Sequence, residues 1–224
     1  MVHRHQSVGE ETMIIPERTI DLWRHRLVHH TSDKPYRGRG LQKFPEDLRV
    51  YQTLIEEQQP EVIVEVGTKD GGSALWFADQ LRALTGGGHV ITIDIDPVRP
   101  LEDLDVTAIH GDATHPATLD QVNTLVAGST CMVVEDSAHT YPTTKAVLDM
   151  YAPFVTPGQW FVVEDGVVDV EELRINPHWP RGVTPAIVDF LSSPAGGDFT
   201  RHWLDQYIIT GHPGGWLQRT TPPA

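Results

Sequence analysis

The sequence predicts one α/β domain in which parallel strands are connected by helices. After Pro60, short runs rich in β-branched residues alternate with longer helical patterns, the order expected of a parallel sheet with crossover helices. Two of the runs, Val62-Ile63-Val64 and Cys131-Met132-Val133-Val134, are continuously apolar, as strands covered on both faces should be. The length of 224 residues suits a single domain with a short addition.

Five strands are predicted from these runs and from the turn signals that flank them. They are Val62–Val66, His89–Asp94, Val106–His110, Cys131–Glu135 and residues 159–164. Acidic residues stand at or near the carboxyl ends of several strands. This placement indicates that the functional residues lie at the carboxyl edge of the sheet.

Five helices are predicted between and around the strands. They are residues 46–58, Gly72–Leu84, Pro116–Val126, Tyr141–Tyr151 and residues 185–191. The second is followed by Gly86-Gly87-Gly88, a strong stop signal for a helix.

The two ends of the chain depart from this alternation. Residues 199–203 and 206–210 lie close enough in sequence to form a terminal hairpin, which predicts an antiparallel element at the sheet edge. Residues 1–45 are predicted to form a helix and a mobile segment that covers the active site, and residues 46–224 form the main domain. The Arg/Gly/Lys-rich stretch 34–43 belongs to that mobile segment.

Composition and charge favour a small-molecule substrate over nucleic acid. The formal net charge is -14 at pH 7, whereas nucleic-acid binders usually carry a clustered basic surface. No apolar stretch approaches the roughly 18 residues of a membrane span, and no apolar segment follows His3, Arg4 and His5 as a secretory signal would require. A single cysteine, Cys131, rules out an internal disulfide framework. We therefore expect a soluble, cytoplasmic protein that does not bind membranes. The long N-terminal segment and the aromatic residues expected at the surface favour a homo-oligomer.

The loop after the first strand is the strongest ligand signal. The string Val64-Glu65-Val66-Gly67-Thr68-Lys69-Asp70-Gly71-Gly72-Ser73 leaves a strand and opens a helix, where an open α/β sheet binds nucleotide-like ligands. A dinucleotide loop would instead show G-x-G-x-x-G, and here Lys69 stands where one of those glycines would be. The carboxylate of Glu65 suits a cofactor with an amino group and a sulfonium better than a diphosphate.

Two acids further along extend this signal. Asp94, at the tip of the second strand, can accept hydrogen bonds from both hydroxyls of a ribose. Asp112, in Gly111-Asp112-Ala113 after the third strand, can face an adenine ring. Either acid alone could be a helix cap or a solvated turn, but together, in this order, they favour an adenosine-containing cofactor.

These motifs resemble those of known methyltransferases. Glu-x-Gly-x-x-x-Gly-x-Ser from Glu65 to Ser73, followed by Ile-x-Ile-Asp-Ile-Asp-Pro up to Pro97, resembles the class I methyltransferases, and among them the small metal-dependent O-methyltransferases of the catechol type. Gly40-Leu41-Gln42-Lys43-Phe44-Pro45-Glu46-Asp47, Tyr51-Gln52, Gly71-Gly72-Ser73-Ala74-Leu75-Trp76 and Pro213-Gly214-Gly215-Trp216-Leu217 are more closely similar to the cephalosporin hydroxylase family. That family has the methyltransferase fold despite its name and includes rhamnosyl O-methyltransferases.

The resemblance implies a Rossmann-like class I methyltransferase fold, with a mostly parallel seven-stranded sheet and a C-terminal antiparallel hairpin. It also implies S-adenosylmethionine as cofactor and a small hydroxylated molecule, such as a sugar diol or a natural-product intermediate, as substrate. By motif, Glu65, Gly67 and Ser73 line the methionine part, Asp94 holds the ribose, and Asp112 and Ala113 flank adenine. The expected cofactor contacts are completed by Thr68, Gly71, Ile95 and Asp136.

Three carboxylates follow neighbouring strands and predict a metal site. Asp136 comes after the fourth strand, and Glu164 and Asp165 after the fifth. Parallel strands lie about 4.8 Å apart, so these side chains can converge on a Mg²⁺ ion or another divalent cation such as Mn²⁺. The catechol-type enzymes have two aspartates and an asparagine at the matching positions, so this chain carries one more negative charge. Alternatively, these three carboxylates are acidic residues of surface loops without a metal.

Asp136 and His139 are the predicted catalytic residues. His139 matches the position of the catalytic lysine of the catechol-type enzymes, and a histidine suits general-base work near neutral pH. The hypothesis is that a metal-bound substrate hydroxyl loses its proton and attacks the sulfonium methyl in line. The simpler interpretation of His139 is a solvated histidine at a helix start. Most other histidines, His212 among them, are expected in loops or at the surface.

Two rival functions are considered. An iron-dependent oxygenase could use His110 and Asp112 with a distant histidine, His139 or His178, as a two-histidine, one-carboxylate triad. A non-catalytic or NAD-linked Rossmann module would use the acids only as solvated caps. The alternation of strands and helices argues against the first, because such iron sites usually lie in all-β barrels, and the missing G-x-G-x-x-G argues against the NAD-linked form of the second.

Overall fold

The computed structural model describes residues 5–8, 11–14, 19–28, 35–174, 178–205 and 208–220. The strands are β1 His5–Val8, β2 Glu11–Ile14, β3 Val62–Val66, β4 His89–Asp94, β5 Val106–His110, β6 Cys131–Glu135, β7 Trp160–Val163, β8 Phe199–His202 and β9 Trp216–Arg219. The α-helices are α1 Thr19–Val28, α2 Pro45–Gln58, α3 Gly72–Leu84, α4 Pro116–Val126, α5 Tyr141–Tyr151 and α6 Val183–Leu191. Short 3-10 helices cover Ala152–Phe154, Gly166–Asp169, Glu171–Leu173 and Ala195–Asp198.

Seven strands form one sheet in the order β5-β4-β3-β6-β7-β9-β8. The strands from β5 to β7 are parallel, whereas β9 runs antiparallel to both of its neighbours, β7 and β8. Apolar side chains of α2 and α3 cover one face of the sheet, and those of α4, α5 and α6 cover the other. Because both faces are covered, β3 and β6 are fully buried along their length, which explains their continuously apolar sequences.

The predicted α/β class and the mostly parallel seven-stranded sheet are confirmed. Four strands and three helices have the predicted bounds, while β7 is one residue shorter at each end than the predicted 159–164. Helix α2 begins one residue before the predicted 46–58. Helix α6 begins two residues before the predicted 185–191. Pro185 lies in its first turn, where backbone nitrogens make no intrahelical hydrogen bond, so the proline does not interrupt the helix.

The predicted antiparallel C-terminal hairpin at the sheet edge is confirmed, but the predicted pairing of residues 199–203 with 206–210 is wrong. Strand β8 pairs instead with β9, and Phe199 lies opposite Arg219. Strand β9 lies inside the sheet and needs apolar side chains for both faces, which Trp216 and Leu217 supply, both fully buried. Ile208, by contrast, is 65% exposed. Residues 206 and 207 of the predicted strand lie outside the described residues.

The first 45 residues contain the predicted helix, α1, and also a two-stranded antiparallel sheet of β1 and β2 that the sequence did not suggest. The stretch that follows α1 is anchored to the main domain. Tyr36 donates to Asp79 at 2.7 Å, the Gly40 N–H donates to Asp70 at 2.7 Å, and Leu41 is buried. Among the described residues, no helix combines the length and apolarity needed to cross a bilayer.

Candidate active site

A cavity of about 930 Å³ opens at the carboxyl edge of the parallel strands. It lies where the chain changes direction across the sheet, since β4 and β5 extend to one side of β3 while β6 and β7 extend to the other. Open α/β sheets bind ligands at such a switch point. The segments that follow β3, β4, β5, β6 and β7 all contribute to its walls.

The loop after β3 approaches the end of β6 so closely that only glycine fits at position 67. Gly67 has φ 103°, and a Cβ built there would lie 1.9 Å from the carbonyl oxygen of Asp136. Its N–H donates to the Ile93 carbonyl at 2.8 Å. Glycine is therefore required both for the backbone conformation and for the contact with β6.

Asp94 organises the same loop. Its Oδ2 accepts hydrogen bonds from the backbone N–H groups of Thr68 at 2.9 Å and Lys69 at 2.7 Å, and its Oδ1 accepts from the Asp96 N–H at 2.9 Å. A carboxylate has about four acceptor positions. One position on Oδ1 is therefore left for a ligand hydroxyl.

The predicted cofactor residues fall into two groups. Those that line the cavity are Gly67, Thr68, Ser73, Asp94, Ile95, Asp112, Ala113 and Asp136. Glu65 and Gly71 do not line it. Glu65 lies behind the loop, fully buried, where its Oε2 accepts a hydrogen bond from Thr92 at 2.7 Å. Burial raises the pKa of Glu65 to about 7, although the charge of Lys43 opposes the shift.

Asp136, His139 and Asp165 converge on the cavity from the ends of β6 and β7. Their potential ligand atoms all lie within 4.8 Å of one another. His139 Nε2 is 3.3 Å from Asp165 Oδ2 and 3.8 Å from Asp136 Oδ1. Burial would lower the pKa of His139, but the Asp165 and Asp136 carboxylates outweigh it and hold that pKa above its ordinary value. The donor set of two carboxylates and an imidazole fits a divalent cation.

Glu164, the third predicted ligand, lies beneath this group and does not line the cavity. Its Oε1 accepts hydrogen bonds from Lys43 Nζ at 2.5 Å and from the Tyr51 hydroxyl at 2.6 Å. Its Oε2 is 3.7 Å from His212 Nε2. Glu164, Asp165 and His212 can also bring one ligand atom each within 4.8 Å of one another, so Glu164 belongs to a second, more buried group.

Sequence reasoning did not assign two of these residues to the site. Lys43 stands out in the sequence only as part of a motif, since its contacts with Asp136 and Glu164 span about a hundred residues of sequence. His212 was expected in a loop or at the surface, yet it is 2% exposed. Its Nδ1 accepts a hydrogen bond from the Asp165 N–H at 3.0 Å, which places the imidazole proton on Nε2. Only the Gly-Trp-Leu string that follows His212 hinted at burial.

The iron triad of the rival function is not assembled among the described residues. The groups of potential ligands that converge there do not include His110, Asp112 or His178. Asp112 instead accepts hydrogen bonds from the Thr114 N–H at 2.8 Å and the Thr114 hydroxyl at 2.7 Å, and these lower its pKa.

The N-terminal region contributes to the cavity wall. Leu27 of α1 and Gln42 line the cavity. The helix is attached to the main domain by Trp23, whose Nε1 donates to the Ile208 carbonyl at 2.7 Å. Arg26 also donates to Glu46 at 2.5 Å.

The sheet order and the cavity at its carboxyl edge define a Rossmann-like fold of the class I methyltransferase type. Within that class, the chain belongs to the rhamnosyl O-methyltransferase/CmcI family, whose sequence model matches residues 29–220. A rhamnosyl O-methyltransferase of Mycobacterium tuberculosis is 30% identical over 141 residues, which is 60% of this chain and 57% of the relative. The chain thus spans little more than half the length of the curated relatives it matches.

Solved structures show the same fold. A structure of CmcI with Mg and SAM aligns over 98% of this chain and 91% of its own length, with a TM-score of 0.65 and 19% identity. The apo structure of a TDP-rhamnose 3'-O-methyltransferase of calicheamicin biosynthesis aligns over 77% of this chain and 78% of its own, with a TM-score of 0.52 and 18% identity.

Proposed function

We propose that this protein is an S-adenosylmethionine-dependent, divalent-metal-assisted O-methyltransferase that acts on a hydroxyl group of a small molecule. One observation carries the proposal: a single cavity of about 930 Å³ joins the loop after β3 to the cluster of Asp136, His139 and Asp165. A cofactor along the loop would thus lie beside a cation at the cluster. Family membership and the Mg and SAM named for CmcI support this pairing.

The loop residues bind and orient the cofactor. Gly67 allows the ligand to approach the backbone, and the free acceptor position of Asp94 can accept one ribose hydroxyl. Asp112 and Ala113 form the wall that would face the adenine. Glu65 acts from behind the loop, where it accepts a hydrogen bond from Thr92 on the neighbouring strand, and Gly71 ends the loop as the N-cap of α3.

Asp136 and Asp165, with Glu164 from beneath them, would hold Mg²⁺ or Mn²⁺. The bound cation supplies Lewis acidity that makes a substrate hydroxyl easier to deprotonate. His139 is the residue placed to accept that proton, because its Nε2 faces both aspartates from the cavity wall. The protein then contributes alignment, since the hydroxyl oxygen must lie in line with the methyl–sulfur bond.

The substrate proposed is a vicinal diol on a sugar or a hydroxylated natural product. Two adjacent oxygens can chelate a cation that keeps open coordination positions. The names of the relatives, which refer to rhamnosyl groups and to TDP-rhamnose, support a sugar. We also propose a homo-oligomer, since Trp179 and Trp203 are 53% and 69% exposed; a monomeric mass in light scattering would contradict it.

The function is tested with metal-stripped protein. Titration calorimetry with SAM and with NAD should detect SAM binding only. Methyl transfer from SAM to a panel of sugar diols should need added Mg²⁺ or Mn²⁺, and Asp136→Asn should lose it by about a hundredfold or more. Asp120→Asn removes an exposed carboxylate on α4 and serves as the matched control.

Full methyl transfer in excess chelator would rule out a role for the metal in the reaction. Tight NAD binding without a response to SAM would favour the NAD-linked module. Turnover of 2-oxoglutarate in the presence of iron would favour the oxygenase, provided that this turnover stops when oxygen is removed.

A further inference from the structure

The ammonium group of Lys43 lies among the carboxylates below the cavity. The side chain is 1% exposed, and Nζ donates to Asp136 Oδ2 at 2.9 Å and to Glu164 Oε1 at 2.5 Å. It also lies 5.9 Å from the centre of the Phe77 ring. The ammonium is thus paired directly with two carboxylates.

Backbone packing fixes the segment that carries this lysine. A Cβ built on Gly72, the first residue of α3, would lie 2.2 Å from the Gly40 carbonyl oxygen, so the segment lies directly on the helix start. Leu41 and Phe44, on either side of Lys43, are each 5% exposed. Lys43 is thus held in place independently of any ligand in the cavity.

Glu164 lies deeper than Asp136 and Asp165 and is surrounded by protein donors. Lys43 and Tyr51 both donate to its Oε1, and the Nε2–H of His212 faces its Oε2. Asp136 and Asp165 line the cavity, but Glu164 does not. Lys43 therefore places one positive charge against two of the three carboxylates.

We propose that Lys43 offsets one carboxylate charge at the cation site, so that a divalent ion held by Asp136, Glu164 and Asp165 meets two net negative charges instead of three. This inference rests on the metal role in the proposed function. The site carries three carboxylates, and the Lys43 ammonium offsets one of them. Lys43 is a positioning residue that weakens cation binding and keeps the bound cation a stronger Lewis acid.

The test measures Mn²⁺ affinity directly, by calorimetry and by electron paramagnetic resonance of free Mn²⁺, without turnover. Lys43→Met leaves three negative charges and should bind Mn²⁺ about tenfold more tightly or better. Glu164→Gln should bind it about tenfold more weakly, and the double variant should return close to the wild-type affinity. Lys43→Arg keeps the charge and should stay near wild type, and Lys145→Met on α5 is the control for loss of a lysine elsewhere.

Protein stability is followed in the same samples. Mn²⁺ should raise the Tm of Lys43→Met more than that of the wild type, because the ion then relieves the repulsion between carboxylates. If Lys43→Met does not fold, the effect of losing Lys43 is measured instead by comparing the double variant with Glu164→Gln. The double variant should then bind Mn²⁺ about tenfold more tightly than Glu164→Gln.

The outcomes separate the two claims. Wild-type protein that binds no Mn²⁺ would overturn the metal role and this inference with it. Wild-type protein that binds Mn²⁺, with unchanged affinity when Lys43 is removed in either background, would overturn this inference alone.

Discussion

The buried carboxyl group of Glu65 should make stability depend on pH in a predictable direction. Its pKa is raised by burial from the ordinary 4.5 to about 7 in the folded protein. Below about pH 4.5 the group is protonated in both the folded and the unfolded chain. Between about 4.5 and 7 the unfolded chain loses this proton while the folded protein keeps it, so the contribution of Glu65 to wild-type stability falls as pH rises.

Glu65→Gln removes this titration. At about 1.4 kcal/mol for each pH unit, the window from 4.5 to about 7 gives about 3 kcal/mol. The variant should therefore gain about 3 kcal/mol relative to wild type between about pH 4.5 and pH 8. The amide can still accept the hydrogen bond from Thr92, and any loss from its unpaired N–H groups is the same at every pH.

Urea unfolding of the ligand-free proteins at several pH values measures the difference. Glu102→Gln, which removes an exposed carboxylate, is the control and should show no comparable trend. A free-energy difference between Glu65→Gln and wild type that stays constant across this pH range would refute the reasoning.

Three other substitutions test the packing described above. Gly67→Ala should destabilise the protein by more than about 3 kcal/mol in urea unfolding, because a Cβ there meets the Asp136 carbonyl at 1.9 Å; a loss below about 1 kcal/mol would contradict the close approach. Asp169→Ala should cost about 2 kcal/mol, since its carboxylate accepts two backbone N–H groups at the start of α6, and an unchanged urea midpoint would argue against this cap. Tyr36→Phe should cost about 1 kcal/mol by losing its hydrogen bond to Asp79, and thermal unfolding of the variant checks this.

Local sequence patterns were sufficient for the parallel part of the sheet. β3 and β6 are covered on both faces, so their continuous apolar runs marked them, and the triple glycine at residues 86–88 marked the end of α3. Local patterns did not determine which segment pairs with β8. The predicted segment 206–210 and strand β9 are both short, and β9 is the partner of β8 because it occupies the position beside β7.

The site was predictable only where it follows from strand order. Asp136 and Asp165 meet because their strands are neighbours, which the alternation of elements implied. The roles of Lys43 and His212 depend on contacts between segments far apart in sequence. The contact between Lys43 and Glu164 spans 121 residues, and no local period encodes it.

The position of β9 also constrains the order in which the sheet can assemble. Among the described residues, β8 pairs only with β9, and β9 occupies the slot beside β7. Strand β8 is made first yet has no place in the sheet until residues 216–219 have been synthesised. Until then β7 keeps an unpaired edge, the kind of surface on which nascent chains associate with one another.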